Sequence, residues 1–108
     1  MAVPTLTHAE RVQALAKATK ARQARAELRA QLADGTCTLP DLFAKSDAGD
    51  EIAARMTIHS AISALPSYGV IKTDALLDKC KISRTRRVRG VGVRQRERLL
   101  EEMRNRRR

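Results

Sequence analysis

Residues 65–96 read LPSYGVIKTDALLDKCKISRTRRVRGVGVRQR. The fold is decided in this stretch. Pro66 halts whatever helix precedes it, and Ser67-Tyr68-Gly69 makes a turn. Val70 to Cys80 then has helical spacing, with Ile71, Ala75, Leu76 and Cys80 as the expected buried face. A glycine at the entry to a helix lets another backbone come close, and the helix start presents free N–H groups and the positive end of its dipole. Pro66, Ser67, Tyr68 and Gly69, with Lys72 adding charge, therefore form a candidate phosphate notch.

The second half of the stretch holds Arg84, Arg86, Arg87, Arg89 and Arg94, interrupted by Gly90-Val91-Gly92. Arginine's planar fork suits phosphate oxygens and guanine edges. Gly90 and Gly92 permit a tight approach, and Gly92, followed by Arg94 and Gln95, opens a second helix. Lys81 to Gly92 reads as a loop and Val93 to Asn105 as a helix burying Leu99, Leu100 and Met103. Two phosphate-binding helix starts imply contacts that position a nucleic acid without reading its sequence. Neutralising about six to eight phosphates would lower affinity by roughly 10³ or more between about 50 and 200 mM salt.

The charge agrees with this reading. The chain has 108 residues, with 22 Lys+Arg against 12 Asp+Glu and a formal charge of +10. Residues 1–80 hold 10 basic and 9 acidic side chains, and residues 81–108 hold 12 and 3. Val88, Val91, Leu99, Leu100 and Met103 recur among those charges, which speaks against a disordered basic tail; only Arg106, Arg107 and Arg108 read as one. Phe43 and Tyr68 are the only aromatics. Base-stacking modules need more of them. No apolar run reaches membrane-spanning length. Met1 to Glu10 has no secretory pattern, and Cys37 and Cys80 alone make no disulfide scaffold. The expectation is a cytoplasmic, basic, all-α protein with no membrane contact, metal or cofactor.

Upstream, Thr7 with Glu10 reads as a capping box satisfying two free N–H groups. Alanine-rich sequence runs from Ala9 to Ala33, with Gly35 as the stop. A helix of about 26 residues would be near 39 Å long. Arg11, Arg22, Arg25 and Arg29 fall on one arc of it, a candidate second contact with the polyanion. Val12, Leu15, Ala16, Ala26 and Ala30 form a thin apolar flank, so much of the helix is expected to project beyond the core. Thr38 before Leu39-Pro40-Asp41 is an N-cap with proline in the first turn. Ser46 to Asp50 reads as a turn, Ile52 to Met56 as a short helix, and Thr57 as the cap of a helix carrying Ile58, Ala61, Ile62 and Leu65. This divides the chain into a long helix, residues 1–35, a bundle, residues 36–105, and a basic tail, residues 106–108.

Taken together, these residues resemble the actinobacterial integration host factor family. The likeness rests on Val3-Pro4-x-Leu6-Thr7, Arg22-x-x-Arg25-Ala26-Glu27-Leu28, Ala64-Leu65-Pro66-x-x-Gly69 and Arg86-Arg87-x-Arg89-Gly90-x-Gly92-x-Arg94-Gln95-Arg96. The last two motifs belong to a helix–two-turns–helix domain like that of ribosomal protein S13. The resemblance implies a nucleoid-associated protein that binds duplex DNA as a monomer through backbone contacts. It also implies DNA bending or topology control, chromosome organisation and assistance to phage integrases. The Pro66–Gly69 turn and the Arg84–Arg94 stretch would hold the DNA.

Ribosomal RNA binding in the S13 manner is the alternative, but the long basic extension usual there is missing. A helix–two-turns–helix glycosylase would need an N-terminal proline nucleophile and usually a zinc finger. Here Pro4 stands behind three residues, and the cysteines form no C-x-x-C pair. His8 and His59 read as isolated surface residues, and Glu101 and Glu102 as ion-pair partners within the last helix. No catalytic constellation is visible, so no enzyme is expected. A coiled-coil role for the long helix lacks a heptad of large apolar residues.

Overall fold

A computed structural model describes residues 7–106, so the Val3-Pro4-x-Leu6 segment and Arg107 and Arg108 lie outside it. Among the described residues there are six α-helices, one 3₁₀ turn and no strand. The long helix α1 spans His8–Asp34. Thr7 caps it by accepting the Glu10 N–H at 3.1 Å, while its hydroxyl donates to the Glu10 carboxylate at 3.0 Å. The expected capping box is thus half made: the carboxylate takes the hydroxyl rather than a backbone N–H. Gly35, at φ 83°, ends the helix in the left-handed conformation that a side chain disfavours.

Every residue from His8 to Lys20 is exposed, so the first half of α1 projects as an arm. The molecule accordingly measures 58 × 32 × 27 Å. The bundle is met by Ala21, Ala24, Leu28, Gln31 and Leu32, at steps of three and four. Leu28 and Leu32 are buried, whereas Val12, Leu15, Ala26 and Ala30 are exposed. The expected apolar flank is therefore not the contact stripe. It averaged over the whole helix, and only the last four turns have a partner.

The bundle is assembled from short, individually capped helices. In α2 (Leu39–Asp47), the Asp41 N–H donates to Thr38 and the Thr38 N–H donates to the Asp41 side chain, a complete capping box. Helix α2 runs into the expected turn and leaves Ala48 and Gly49 to make it. Asp50 caps α3 (Glu51–Arg55), one residue earlier than expected, and Thr57 caps α4 (Ile58–Ala64). Helix α5 spans Val70–Cys80, and α6 spans Val93–Arg106, which takes the helix one residue into the expected tail.

The buried face of α5 is Thr73, Leu76, Leu77 and Cys80. Ile71 is 84% exposed and Ala75 is also exposed, against expectation. Positions 73, 76, 77 and 80 make the i, i+3, i+4, i+7 set, and Ile71 lies before that stripe begins. Residues 81–92 are not an irregular loop either. The Ile58 N–H donates to the Arg86 carbonyl, and the Val88 N–H to the Met56 carbonyl, each at 2.8 Å. Ile82, Val88 and Val91 are buried, and Val88–Gly90 forms the 3₁₀ turn. The largest fully buried apolar side chains of the core are Leu32, Leu42, Ile58, Ile62, Leu76, Leu77, Val88, Val91 and Leu99. Each such side chain contributes roughly 1.5–3 kcal/mol by leaving water.

Candidate nucleic-acid interface

Two helix starts define the site. At the first, the Leu65 carbonyl accepts the Tyr68 N–H at 3.2 Å, closing the turn. Leu65, Pro66 and Tyr68 line a cavity of about 650 Å³ together with Leu100 and Met103 of the last helix. Ser67, not Gly69, adopts the left-handed backbone, with φ 69°. Gly69 is extended, and a Cβ built on it would meet nothing within 4 Å. The glycine is therefore not demanded by the fold, and the space beside it is open. No side chain caps α5, which leaves its first N–H groups facing outward beside exposed Lys72.

At the second start, the Arg96 N–H donates to the Gly92 carbonyl at 2.9 Å, and the Gln95 side-chain oxygen accepts the Gly92 N–H at 3.1 Å. Gln95 thus caps the helix from its third position, which explains how an apolar Val93 is tolerated at the helix start. Gly90 has a tighter reason. A Cβ there would lie 3.0 Å from Arg86 Cδ, because the Arg86 side chain folds back to donate to the Gly90 carbonyl.

The arginines, contiguous in sequence, are dealt out to different neighbours. Arg84 reaches α5 and pairs with Asp74 at 3.1 Å, which also accepts a 2.8 Å contact from His59 Nε2. His59 is therefore not an isolated surface residue. The pair carries the start of the basic loop to within about 6 Å of rise from the beginning of α5. Arg87 donates to the Arg55 carbonyl. Arg96 is withdrawn from the surface. Its guanidinium lies 2.8 and 3.0 Å from the two Asp47 oxygens and 4.6 Å above the Phe43 ring, and Nε donates to Val91. Those hydrogen bonds hold the Asp47 carboxyl below the usual aspartate range, and the same pair raises Arg96. Arg89 and Arg94 are exposed, and their side chains have no partner among the described residues. Glu102 bridges to Lys79 of α5 at 2.9 Å rather than pairing within α6.

A second basic surface lies elsewhere. Arg22, Arg25 and Arg29 of α1 line a groove with Arg55 and Arg87. Arg11 falls on the same arc, but on the projecting arm beyond this groove. Arg55 was invisible to sequence reasoning. Nothing local marks it, and only the crossing of α1 over α3 and α4 brings it to Arg25 and Arg29. Among the described residues no cluster of three or more His, Cys, Asp or Glu could hold a metal, and no helix is long and apolar enough to cross a membrane. Cys37 and Cys80 are buried in the core, and burial pushes the Cys37 thiol up.

Comparison with known proteins places these features. Residues 32–103 match the model of the S13-like H2TH domain. The chain is similar to proteins named integration host factor. It is 41% identical to that of Mycobacterium tuberculosis over 102 residues, covering 94% of this chain and 96% of the relative. It is 34% identical to that of Streptomyces coelicolor over 95 residues, 88% of each. Among solved structures, sIHF bound to an 8 bp palindromic DNA superposes with a TM-score of 0.71 at 27% identity, covering 82% of this chain and 96% of that one.

Proposed function

The chain belongs to the integration host factor family, built on the S13-like H2TH domain, and from that premise we propose that it is a nucleoid-associated protein that holds duplex DNA by its phosphates with little sequence preference. One observation carries the reading for this chain. Two helix starts, at Gly69 and Gly92, stand beside exposed Lys72, Arg89 and Arg94, which have no side-chain partner among the described residues. Helix N-termini and arginines bind phosphate without reading bases, which gives sequence tolerance. The relative bound to an 8 bp DNA supports the duplex as the ligand.

The bundle of residues 36–105 is the DNA-holding unit. Pro66, Ser67, Tyr68 and Gly69 form one contact, with Lys72 beside them. Arg84, Arg89, Gly90, Gly92, Arg94 and the free amide of Gln95 form the other. Arg86 and Arg87 take part with the donors their internal bonds leave over. Arg11, Arg22, Arg25 and Arg29 offer a second contact along α1. The protein acts as a monomer in the nucleoid, and it bends or constrains DNA for chromosome organisation and for a phage integrase.

Fluorescence anisotropy with duplex DNA, single-stranded DNA and duplex RNA over a salt titration tests this. Duplex DNA of any sequence is expected to bind tightest. Arg89→Ala and Arg94→Ala should each flatten the salt slope by about one. Gly69→Glu should weaken binding with helicity intact, since its carboxylate fills the open space. Preference for duplex RNA would favour the ribosomal reading, and unchanged slopes in both arginine variants would remove the assigned contacts.

A further inference from the structure

The groove between α1 and the α3–α4 corner has a charge balance that needs an explanation. Arg22, Arg25, Arg29, Arg55 and Arg87 surround a space of about 380 Å³. One carboxylate offsets them, Glu51, which pairs with Arg55 at 3.0 Å. Glu27 of α1 lies about 140° around the helix from Arg22 and is absent from the lining. Four uncompensated positive charges thus converge where like charges repel. The remaining lining is small or polar: Ala26, Met56, Thr57 and Ser60. No aromatic ring is available to stack on a base.

The geometry points to a binding site for a compact oligophosphate, a chain of adjacent phosphates such as inorganic tripolyphosphate or the tail of a nucleoside triphosphate. Each guanidinium offers up to five donors in a fork that matches phosphate oxygens. Arg87 commits one donor to the Arg55 carbonyl and keeps the rest. A net charge of four suits a linear triphosphate, whose charges are packed close together. A duplex instead spreads its charge over about 3.4 Å of axis per phosphate on each strand, so few of its phosphates fall within a groove of this size. The missing stacking partner makes the phosphate chain, not the base, the recognised part. The inference does not rest on DNA binding at the α5 and α6 starts.

Isothermal titration of the full chain with sodium tripolyphosphate tests it, with orthophosphate and sulfate at matched ionic strength as references. Saturable binding of one tripolyphosphate per chain is expected, at least about tenfold tighter than orthophosphate. Arg25→Ala with Arg29→Ala should weaken it by about tenfold or more. Both residues are exposed on α1, and a thermal melt checks that the fold is kept. Arg25→Lys with Arg29→Lys should fall between, because charge remains and the fork is lost. Arg94→Ala should leave tripolyphosphate binding within about twofold. Equal binding by the double alanine variant, or equal loss in Arg94→Ala, would overturn the site. A titration with short duplex DNA separates the remaining source. If duplex displaces tripolyphosphate one for one and the double variant loses duplex affinity as severely as Arg94→Ala, the groove is a DNA track and the inference fails.

Discussion

Arg96 is the arginine of the basic stretch that the fold keeps for itself. Arg94 and Glu97 on either side face solvent, yet Arg96 lies over Phe43 and clamps Asp47 through two hydrogen bonds. A bidentate pair of this kind fixes α6 against α2. Because Arg96 holds the Asp47 carboxyl low, the pair stabilises the folded state above the usual aspartate range. That stabilisation is lost as pH falls through the lowered value. Thr38 lowers Asp41 in the same sense through its cap. Thermal melts across acid pH should therefore show the melting temperature falling on that side. Asp47→Asn should melt lower at neutral pH and show a shallower acid fall. A wild-type melting temperature flat through that range would contradict the assignment. Gly69 and Ser67 make the complementary point. The left-handed backbone falls on a serine, and the glycine leaves a space that none of the described residues fills.

Among the elements, α5 separates a buried, stabilising face from an exposed one. Leu76 and Leu77 are fully buried, while Val70 and Ile71 are exposed at its start. Leu77→Ala should cost about 2–5 kcal/mol by chemical denaturation, through lost burial and a cavity. Ile71→Ala should change stability by no more than about 0.5 kcal/mol. Similar costs at both positions would mean that the helix is rotated from the orientation described. The segment between α5 and α6 earns its order in another way. Backbone bonds from Ile58 and Val88 stitch it to the α3–α4 corner, so the arginines stand on a fixed frame. This is why Arg86 and Arg87 are poorer probes of ligand contact than Arg89 and Arg94: their loss also removes internal hydrogen bonds.

For the molecule as a whole, a helix of 27 residues is joined to the bundle only by its second half. The arm of His8–Lys20 buries almost nothing, so its helicity depends on alanine content, the Thr7 cap and continuity with the docked turns. Deleting residues 1–19 should leave one cooperative unfolding transition, with stability within about 0.5 kcal/mol of the full chain. The far-ultraviolet circular dichroism should lose the arm's share. A large fall in stability would show that the arm packs against the bundle in solution. The two basic surfaces then divide by support: Arg89 and Arg94 flank Gly92 at the start of α6, and the five-arginine groove lies where α1 docks.

What the sequence by itself determined is local. Helix starts and stops at Thr7, Gly35, Thr38, Thr57 and Pro66 are legible because caps and breakers act within a few residues of themselves. The all-α class, the projecting long helix and the basic stretch followed from composition and spacing, and the S13-like H2TH domain from two motifs. Only the tertiary structure decided which stripe of each helix is buried, and it rotated α5 and α1 away from their expected faces. An apolar pattern gives a helix a face but not a partner. Only the structure divided the arginines among an internal clamp, an exposed pair and a groove with Arg55. Charge is counted along the chain, but its effect depends on distance through space, and that distance is set by how α1 crosses the bundle.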